Sequence, residues 1–146
     1  MLRIEVSSKV RGSPPERRVR ALLSRAARLV PRSKIRNPKS KIEVSVLFCG
    51  DRAMRALNRR YRGMDAPTDV LAFPAEGLGL LGDIVISVPY ASRQARRRGE
   101  PPPREIDRLL LHGLLHLSGY DHETDGGEMD ALEKKIRRRL DLEEAA

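Results

Sequence analysis

The chain has 146 residues, the size of one ordinary domain, and we expect a single domain over residues 1–146. Its 29 Lys and Arg residues outnumber 20 Asp and Glu, giving a formal net charge of +9, which favours a polyanionic partner. The alternative explanation of this charge is an arginine-rich composition that reflects a GC-rich or heat-adapted source. Aromatic residues make up only 3% of the chain, which argues against a base-stacking platform and leaves phosphates as the main contacts with any nucleic acid.

The N-terminal residues, MLRIEVSSKVRG, lack the apolar core of a signal peptide. No run approaches the ~20 apolar residues that cross a bilayer, so we expect a cytoplasmic protein without a membrane partner. The single cysteine, Cys49, ends an apolar run and is expected to be an inert buried thiol. One cysteine cannot form an internal disulfide, which fits a reducing compartment.

The first half of the chain predicts two strand–helix pairs. Residues 2–7, LRIEVS, alternate like a half-buried strand, and residues 14–30 have helical apolar spacing after a proline. Residues 41–48, KIEVSVLF, form a second strand, and residues 49–63 form a second helix. A strand–helix–strand order of this kind predicts a parallel strand pair.

The second half predicts two more strands and three more helices. Strands 68–74 and 81–89 are joined by the glycine-rich linker 75–82, which predicts an antiparallel hairpin. A basic helix over 90–99 precedes the chain-breaking prolines 101–103. The helix over 104–119 is apolar nearly all round and belongs in the core, and a last helix occupies 126–146. The fold class is therefore α/β with an α+β-like order: one mixed four-stranded sheet packed with about five helices around a central histidine-bearing helix.

All three histidines lie in HGLLHLSGYDH, residues 112–122. His112 and His116 are four residues apart on one helix face, where two nitrogens can reach one ion at ~2.1 Å, and a turn after Gly119 can return His122 as a third ligand. The alternative is three histidines satisfied by ordinary hydrogen bonds. Two imidazoles on one apolar face would each need a separate partner, so the spacing favours a three-histidine metal site that leaves a position for water.

The same spacing matches the metal-binding stretch of metzincin proteases, in which a glutamate follows the first histidine. Here that position is Gly113, and no side chain is present to take a proton from water. A metalloprotease is therefore kept only as an alternative.

Four stretches together resemble the YbeY family of bacterial single-strand-specific metallo-endoribonucleases. They are LNRRYRGMDAPTDVLAFP (57–74), LGDIVIS (81–87), HGLLHLSGYDH (112–122) and the helix that contains Met129. The resemblance runs from about the second strand to the end of the chain. It departs from the family at Ala72, where the family has serine, and we expect little consequence from the loss of one hydroxyl group.

The resemblance implies a mixed α/β fold and an endoribonuclease linked to 16S rRNA 3′-end maturation and ribosome quality control. It implies that His112, His116 and His122 hold one zinc ion or another transition metal, with no organic cofactor. It also implies an important arginine at Arg62, which we expect to bind RNA and to neutralise charge on the reacting phosphate. The residues alone favour the other explanation of Arg62, a cation at a helix C-terminus, and the resemblance favours the functional role. The partners implied are single-stranded RNA, 16S rRNA and ribosomal subunits.

Other polar residues are candidates for supporting roles. Three aspartates, Asp69, Asp83 and Asp121, are candidates to accept a hydrogen bond from the far nitrogen of a ligand histidine, or else to shape turns. The cluster Arg93, Arg96, Arg97 and Arg98 is expected to follow an RNA backbone, with a solvated helix end as the alternative.

A non-enzymatic function also stays open, namely a basic ribosome-associated protein whose zinc is structural. Such sites usually have four protein ligands, often thiols, and here only three candidates appear, with Cys49 distant in sequence.

Overall fold

The computed structural model describes residues 2–31, 42–75, 80–121 and 123–145. Its strands are β1 (Leu2–Ser8), β2 (Ile42–Cys49), β3 (Val70–Pro74) and β4 (Leu80–Ser87). Its helices are α1 (Glu16–Leu29), α2 (Asp51–Arg62), α3 (Val88–Arg98), α4 (Pro102–Leu117) and α5 (Glu128–Ala145).

The four strands form one mixed sheet in the order β1-β2-β4-β3. Strands β1 and β2 are parallel, which confirms the pairing predicted from the strand–helix–strand order. Strands β3 and β4 are antiparallel, which confirms the predicted hairpin, although residues 76–79 of its linker lie outside the described residues. Strand β2 also pairs in parallel with β4, so β4 lies between a parallel and an antiparallel neighbour.

Alternating side chains give the sheet two different apolar faces. Ile84 and Ile86 of β4 belong to the main core with α1, α4 and α5, whereas Val85 belongs to a smaller cluster with Met54 of α2. Helix α2 therefore covers the face of the sheet that α4 does not contact.

The element boundaries differ from the sequence-based predictions by one or two residues, and two of these differences have a visible cause. Strand β4 ends at Ser87 and α3 begins at Val88, two residues earlier than expected, because the Ser87 hydroxyl accepts a hydrogen bond from the Tyr90 N–H (3.4 Å) and caps the helix. Helix α4 begins at Pro102, inside the proline run that was expected to break the chain. Prolines are compatible with the first turn of a helix, where the N–H group has no helical partner.

Helix α4 is the central element, and it packs against α1, α3, α5, β3 and β4. Apolar residues on nearly every side of it are buried, as its composition predicts: Ile106, Leu109, Leu110, Leu111, Leu114, Leu115 and Leu117. The predicted fold class is confirmed. Among the helices that the structure describes, none is both long enough and apolar enough to cross a membrane.

Candidate active site

His112 and His116 project from the same side of α4, one turn apart. Their ring centroids are 4.7 Å apart and their planes are nearly perpendicular, at 78°. Both side chains are half-buried, with 25% of the His112 side chain exposed, so the imidazoles lie where the core meets solvent. Neutral imidazoles at this spacing are the donor type that zinc and related metals bind.

His122, the third predicted ligand, lies outside the described residues, and its role stays a prediction. Within the described residues, no group of three His, Cys, Asp or Glu side chains is arranged to hold a metal ion. The two histidines of α4 therefore provide the part of the donor set whose geometry is known.

Gly113 allows α4 to lie very close to the sheet. A Cβ atom at this position would be 2.9 Å from Cγ2 of Ile84 in β4, closer than side-chain carbons pack. The close approach fixes the height of α4, and therefore of its two imidazoles, above β3 and β4.

The end of α4 turns sharply at Gly119, which has a positive φ of 96°. The Gly119 N–H donates to the His116 carbonyl (3.0 Å), and the Tyr120 N–H donates to the Leu115 carbonyl (3.1 Å). This pair of bonds is a Schellman motif, which favours glycine at the left-handed position. Gly119 thus ends the helix as predicted and directs the chain towards residue 122.

Arg62 is the last residue of α2, and its side chain is exposed. The loop that follows is held in place by Asn58, a buried residue whose side-chain N–H donates to the Ala66 carbonyl (2.9 Å). Two further bonds join the guanidinium of Arg55 to the carboxylate of Asp65, at 2.8 and 3.0 Å. The loop after Arg62 is therefore braced at two points by α2 itself.

An open cleft of about 660 Å³ brings Arg62 together with His112 and His116. Its walls come from α4, from the loop after α2, from β3 and from the turn after α4. Ala72, the departure from the family pattern, lies in this lining, so the missing hydroxyl group is missing from the cleft itself. Other lining residues include Met64, Thr68, Tyr90, Tyr120 and Asp121.

The three candidate aspartates lie in different surroundings. Asp69 accepts hydrogen bonds from the Val70 N–H (2.7 Å) and from the side chain of Gln94 (3.1 Å), so its carboxylate shapes the start of β3. Asp121 lines the cleft, where it accepts a hydrogen bond from the Glu123 N–H (3.0 Å). Of these two carboxylates, only that of Asp121 lines the cleft of the histidines.

The structure does not bring Asp83 to the histidines. Asp83 directly precedes Ile84, which packs on Gly113, and neighbouring residues of a strand point to opposite faces of the sheet. The Asp83 side chain lines a separate pocket with Tyr61 and Phe73. Asp83 lies in one of the sequence stretches that resemble the family, but this did not place it near the histidines, because neighbouring side chains of a strand point to opposite faces of the sheet.

Glu133 of α5 contacts a histidine of the cleft and is not among the residues predicted from the sequence. Its Oε2 atom is 3.5 Å from Nδ1 of His112, and only 14% of the Glu133 side chain is exposed. In the sequence, Glu133 stands directly after Leu132 and three residues before the buried Ile136. A carboxylate beside the apolar face of a helix was the signal that could have identified it.

Two of the four arginines predicted to contact RNA form ion pairs with carboxylates of this chain. Arg93 forms an ion pair with Asp51 (2.7 Å), and this guanidinium holds the pKa of Asp51 below its ordinary value. Arg98 lies 3.1 Å from the fully buried carboxylate of Glu105, which Arg108 also contacts. These arginines join α3 to the starts of α2 and α4.

Arg96 and Arg97, the other two, are exposed in the last turn of α3. Cations in this position interact favourably with the carbonyl groups at the helix end and remain open to solvent. The predicted RNA contacts of all four arginines stay predictions. Among the residues that the structure describes, Arg96 and Arg97 form no ion pair, whereas Arg93 and Arg98 do.

Cys49 ends β2 and is 1% exposed. Burial, and secondarily the charge of Asp51, raises the pKa of its thiol above the ordinary value. Because the thiolate is the nucleophile and the metal ligand, this environment favours the predicted packing role.

The fold and the cleft define a mixed α/β protein in which a buried helix presents two histidines to an open, arginine-bearing cleft. The family model described as Endoribonuclease YbeY matches residues 6–141. The chain belongs to the YbeY family, which confirms the resemblance found in its motifs.

Individual relatives agree with this assignment. The protein named Endoribonuclease YbeY from Anaeromyxobacter sp. (strain Fw109-5) is 49% identical over 114 residues, covering 74% of this chain and 59% of the relative. The protein of the same name from Koribacter versatilis is 49% identical over 100 residues, covering 68% of this chain and 66% of the relative. The matches thus span slightly less than two thirds of these relatives.

A solved structure shares the fold. The solution structure of TM1509 from Thermotoga maritima aligns with a TM-score of 0.63 at 28% identity, covering 92% of this chain and 86% of the other.

Proposed function

We propose that this protein is a metal-dependent endoribonuclease that cleaves single-stranded RNA. The observation that carries the proposal is the cleft that His112, His116 and Arg62 share. The name of these relatives, Endoribonuclease YbeY, supports the same activity. Within the cell, we propose that it acts on the 3′ end of 16S rRNA and in ribosome quality control, with ribosomal subunits as partners.

The metal would be held by His112, His116 and His122, as one zinc ion or another transition metal per chain. The fit rests on donor chemistry, because two half-buried imidazoles stand side by side on a rigid helix at the edge of an open cleft. A bound ion of this kind supplies Lewis acidity, which polarises a phosphoryl oxygen and lowers the pKa of water to about 7.

Arg62 would bind the reacting phosphodiester. Its guanidinium offers a planar fork of N–H donors that suits two phosphate oxygens, and its exposure lets a strand reach it. Because Asn58 and Arg55 brace the following loop, the arginine is presented from a supported backbone. It would neutralise the negative charge that develops as the phosphate is attacked.

The cleft favours a flexible strand over a duplex and over a peptide. A single strand can bend one phosphate to the point between Arg62 and the histidines, which a stiff duplex resists. Peptide hydrolysis at a site of this pattern relies on a carboxylate after the first histidine, and Gly113 packs on Ile84 with no room for one.

The test is cleavage of a labelled single-stranded RNA beside its duplex, with metal content measured on the same preparations. We expect about one transition metal per chain and cleavage of the single strand. His112→Ala and His116→Ala should each lose metal and cleavage while circular dichroism shows a folded protein, because a two-ligand remnant is a poor chelate. Two results contradict the proposal: full metal content in a variant that carries both His112→Ala and His116→Ala, or hydrolysis of casein without cleavage of RNA.

A further inference from the structure

We propose that Glu133 is a positioning residue for His112. It accepts a hydrogen bond from Nδ1–H of His112, which fixes the tautomer of the ring and leaves Nε2 as the atom that can bind a metal. The inference rests on the proposed function for the identity of the site, and it adds a residue from the C-terminal helix to it.

The contact is enclosed by the packing of α5 on α4. Met129 and Ile136, on either side of Glu133 along α5, are each 1% exposed and belong to the main core with the leucines of α4. This packing leaves the Glu133 side chain 14% exposed, with one carboxylate oxygen 3.5 Å from Nδ1 of His112. A carboxylate in such surroundings costs free energy unless it accepts a hydrogen bond, and the imidazole N–H supplies one.

The chemical consequence lies in which ring nitrogen carries the proton. A neutral imidazole has one N–H and one lone pair, and a carboxylate beside Nδ1 stabilises the form with the proton on Nδ1. The lone pair then lies on Nε2. A carboxylate that orients a histidine in this way raises the basicity of the ligand and prevents ring rotation.

The carboxylate acts from a different element than the sequence suggested. The Asp69 carboxylate accepts hydrogen bonds from Gln94 and Val70, and Asp83 lies on the face of the sheet opposite to α4. The contact with Glu133 has no sequence signature near the HGLLHLSGYDH stretch, because it depends on the packing of α5 on α4.

The first experiment reads the tautomer directly. Long-range ¹H–¹⁵N NMR spectra of metal-free protein report which nitrogen of each ring carries the proton. Only three histidines contribute signals. We expect the Nδ1–H form for His112 in the wild type and in Glu133→Gln, whose amide oxygen can still accept the bond. Glu133→Ala should shift His112 towards the Nε2–H form.

The second experiment measures zinc affinity by competition with a chromophoric chelator. Glu133→Ala should weaken zinc binding by about 10- to 100-fold, the usual effect of removing such a partner, and Glu133→Gln should lie between it and the wild type. Asp130→Ala is the matched control, because it removes an exposed carboxylate of the same helix that pairs with Lys134. Its affinity should equal that of the wild type.

Two results would overturn the inference: an unchanged Nδ1–H form of His112 in Glu133→Ala, or an equal loss of zinc affinity in Asp130→Ala. The first would make the contact incidental, and the second would reduce it to a general effect of α5. Neither readout uses RNA. A wild type with the expected tautomer and zinc affinity but no cleavage of RNA therefore counts against the proposed function and leaves the role of Glu133 intact.

Discussion

Arg62 stands at a helix C-terminus, where a cation gains from the free carbonyl groups regardless of function. The observation that favours a catalytic role for Arg62 over this general effect is that Arg62 lines the same cleft as His112 and His116. Within the described part of the chain, its guanidinium forms no ion pair. Neutralising a phosphate would therefore not require breaking an existing contact with those residues.

Arg62→Ala is expected to lower the turnover of single-stranded RNA by a factor on the order of 10² or more, because a charged donor is lost at the reacting phosphate. Metal content and the unfolding transition should not change, since Arg62 is not a ligand and is exposed. Single-turnover rates at saturating RNA measure the effect. Arg59→Ala, an exposed arginine of the same helix outside the cleft, should keep the wild-type rate. A normal rate for Arg62→Ala would remove Arg62 from the mechanism.

The loop after α2 shows how an element carries a site residue. Helix α2 ends at Arg62, and the chain then runs along the cleft to the start of β3. Asn58 reaches from inside the helix to the Ala66 carbonyl, so the loop is tied to the helix that precedes it. We therefore expect this bond to help hold the wall of the cleft that follows Arg62.

Asn58→Ala should lower the free energy of unfolding by about 1–3 kcal/mol, because it leaves a polar group without its partner. Turnover of RNA should fall roughly 10- to 100-fold, with metal content unchanged, as the wall of the cleft loosens. Urea unfolding and single-turnover rates provide the two measurements. Arg55→Ala, which removes an exposed ion pair of the same loop, should have smaller effects on both. The role of Asn58 in holding the loop is contradicted if Arg55→Ala has the larger effects.

The helices and strands could be predicted well from the sequence, because each shows an apolar periodicity or a residue that begins or ends it. The apolar spacing of α4 and the stop at Gly119 are both properties of neighbouring residues. Local signals mark Glu133 as a carboxylate beside an apolar helix face, but they do not identify His112 as its partner, because that pairing depends on how α5 packs. The outward direction of Asp83 likewise depends on which face of β4 the residue occupies. The family resemblance supplied Arg62, whose position in the sequence alone indicated only a helix end.

At the scale of the whole molecule, the excess of arginine is not one uniform basic surface. Several arginines are joined to carboxylates of other elements, including Arg18 to Asp107 and Arg104 to Asp141. Such pairs tie helices together and contribute little attraction for RNA. The 29 Lys and Arg residues therefore overstate the number of cations that are free to meet a polyanion, whereas the net charge of +9 already subtracts the carboxylates that pair with them.

Arg96 and Arg97 should behave differently from Arg93 in RNA binding. Alanine at both exposed positions should weaken binding and lower the slope of log affinity against log salt by about 0.7 for each lost phosphate contact, with little change in turnover at saturating RNA. Arg93→Ala should mainly affect stability, because it breaks the pair with Asp51. Filter binding across a salt series measures this. An equal fall in slope for Arg93→Ala would show that its pair opens for RNA.

The contact between Gly113 and Ile84 also limits how this scaffold can change during evolution. A glutamate at position 113 would complete the protease pattern with one amino-acid exchange, yet its Cβ atom would collide with Ile84 at 2.9 Å. Accepting it requires either the Ile84 side chain or α4 to shift, and a shift of α4 displaces the same two histidines that the new glutamate would have to serve. A protease on this scaffold would therefore combine the exchange at Gly113 with a smaller residue at Ile84.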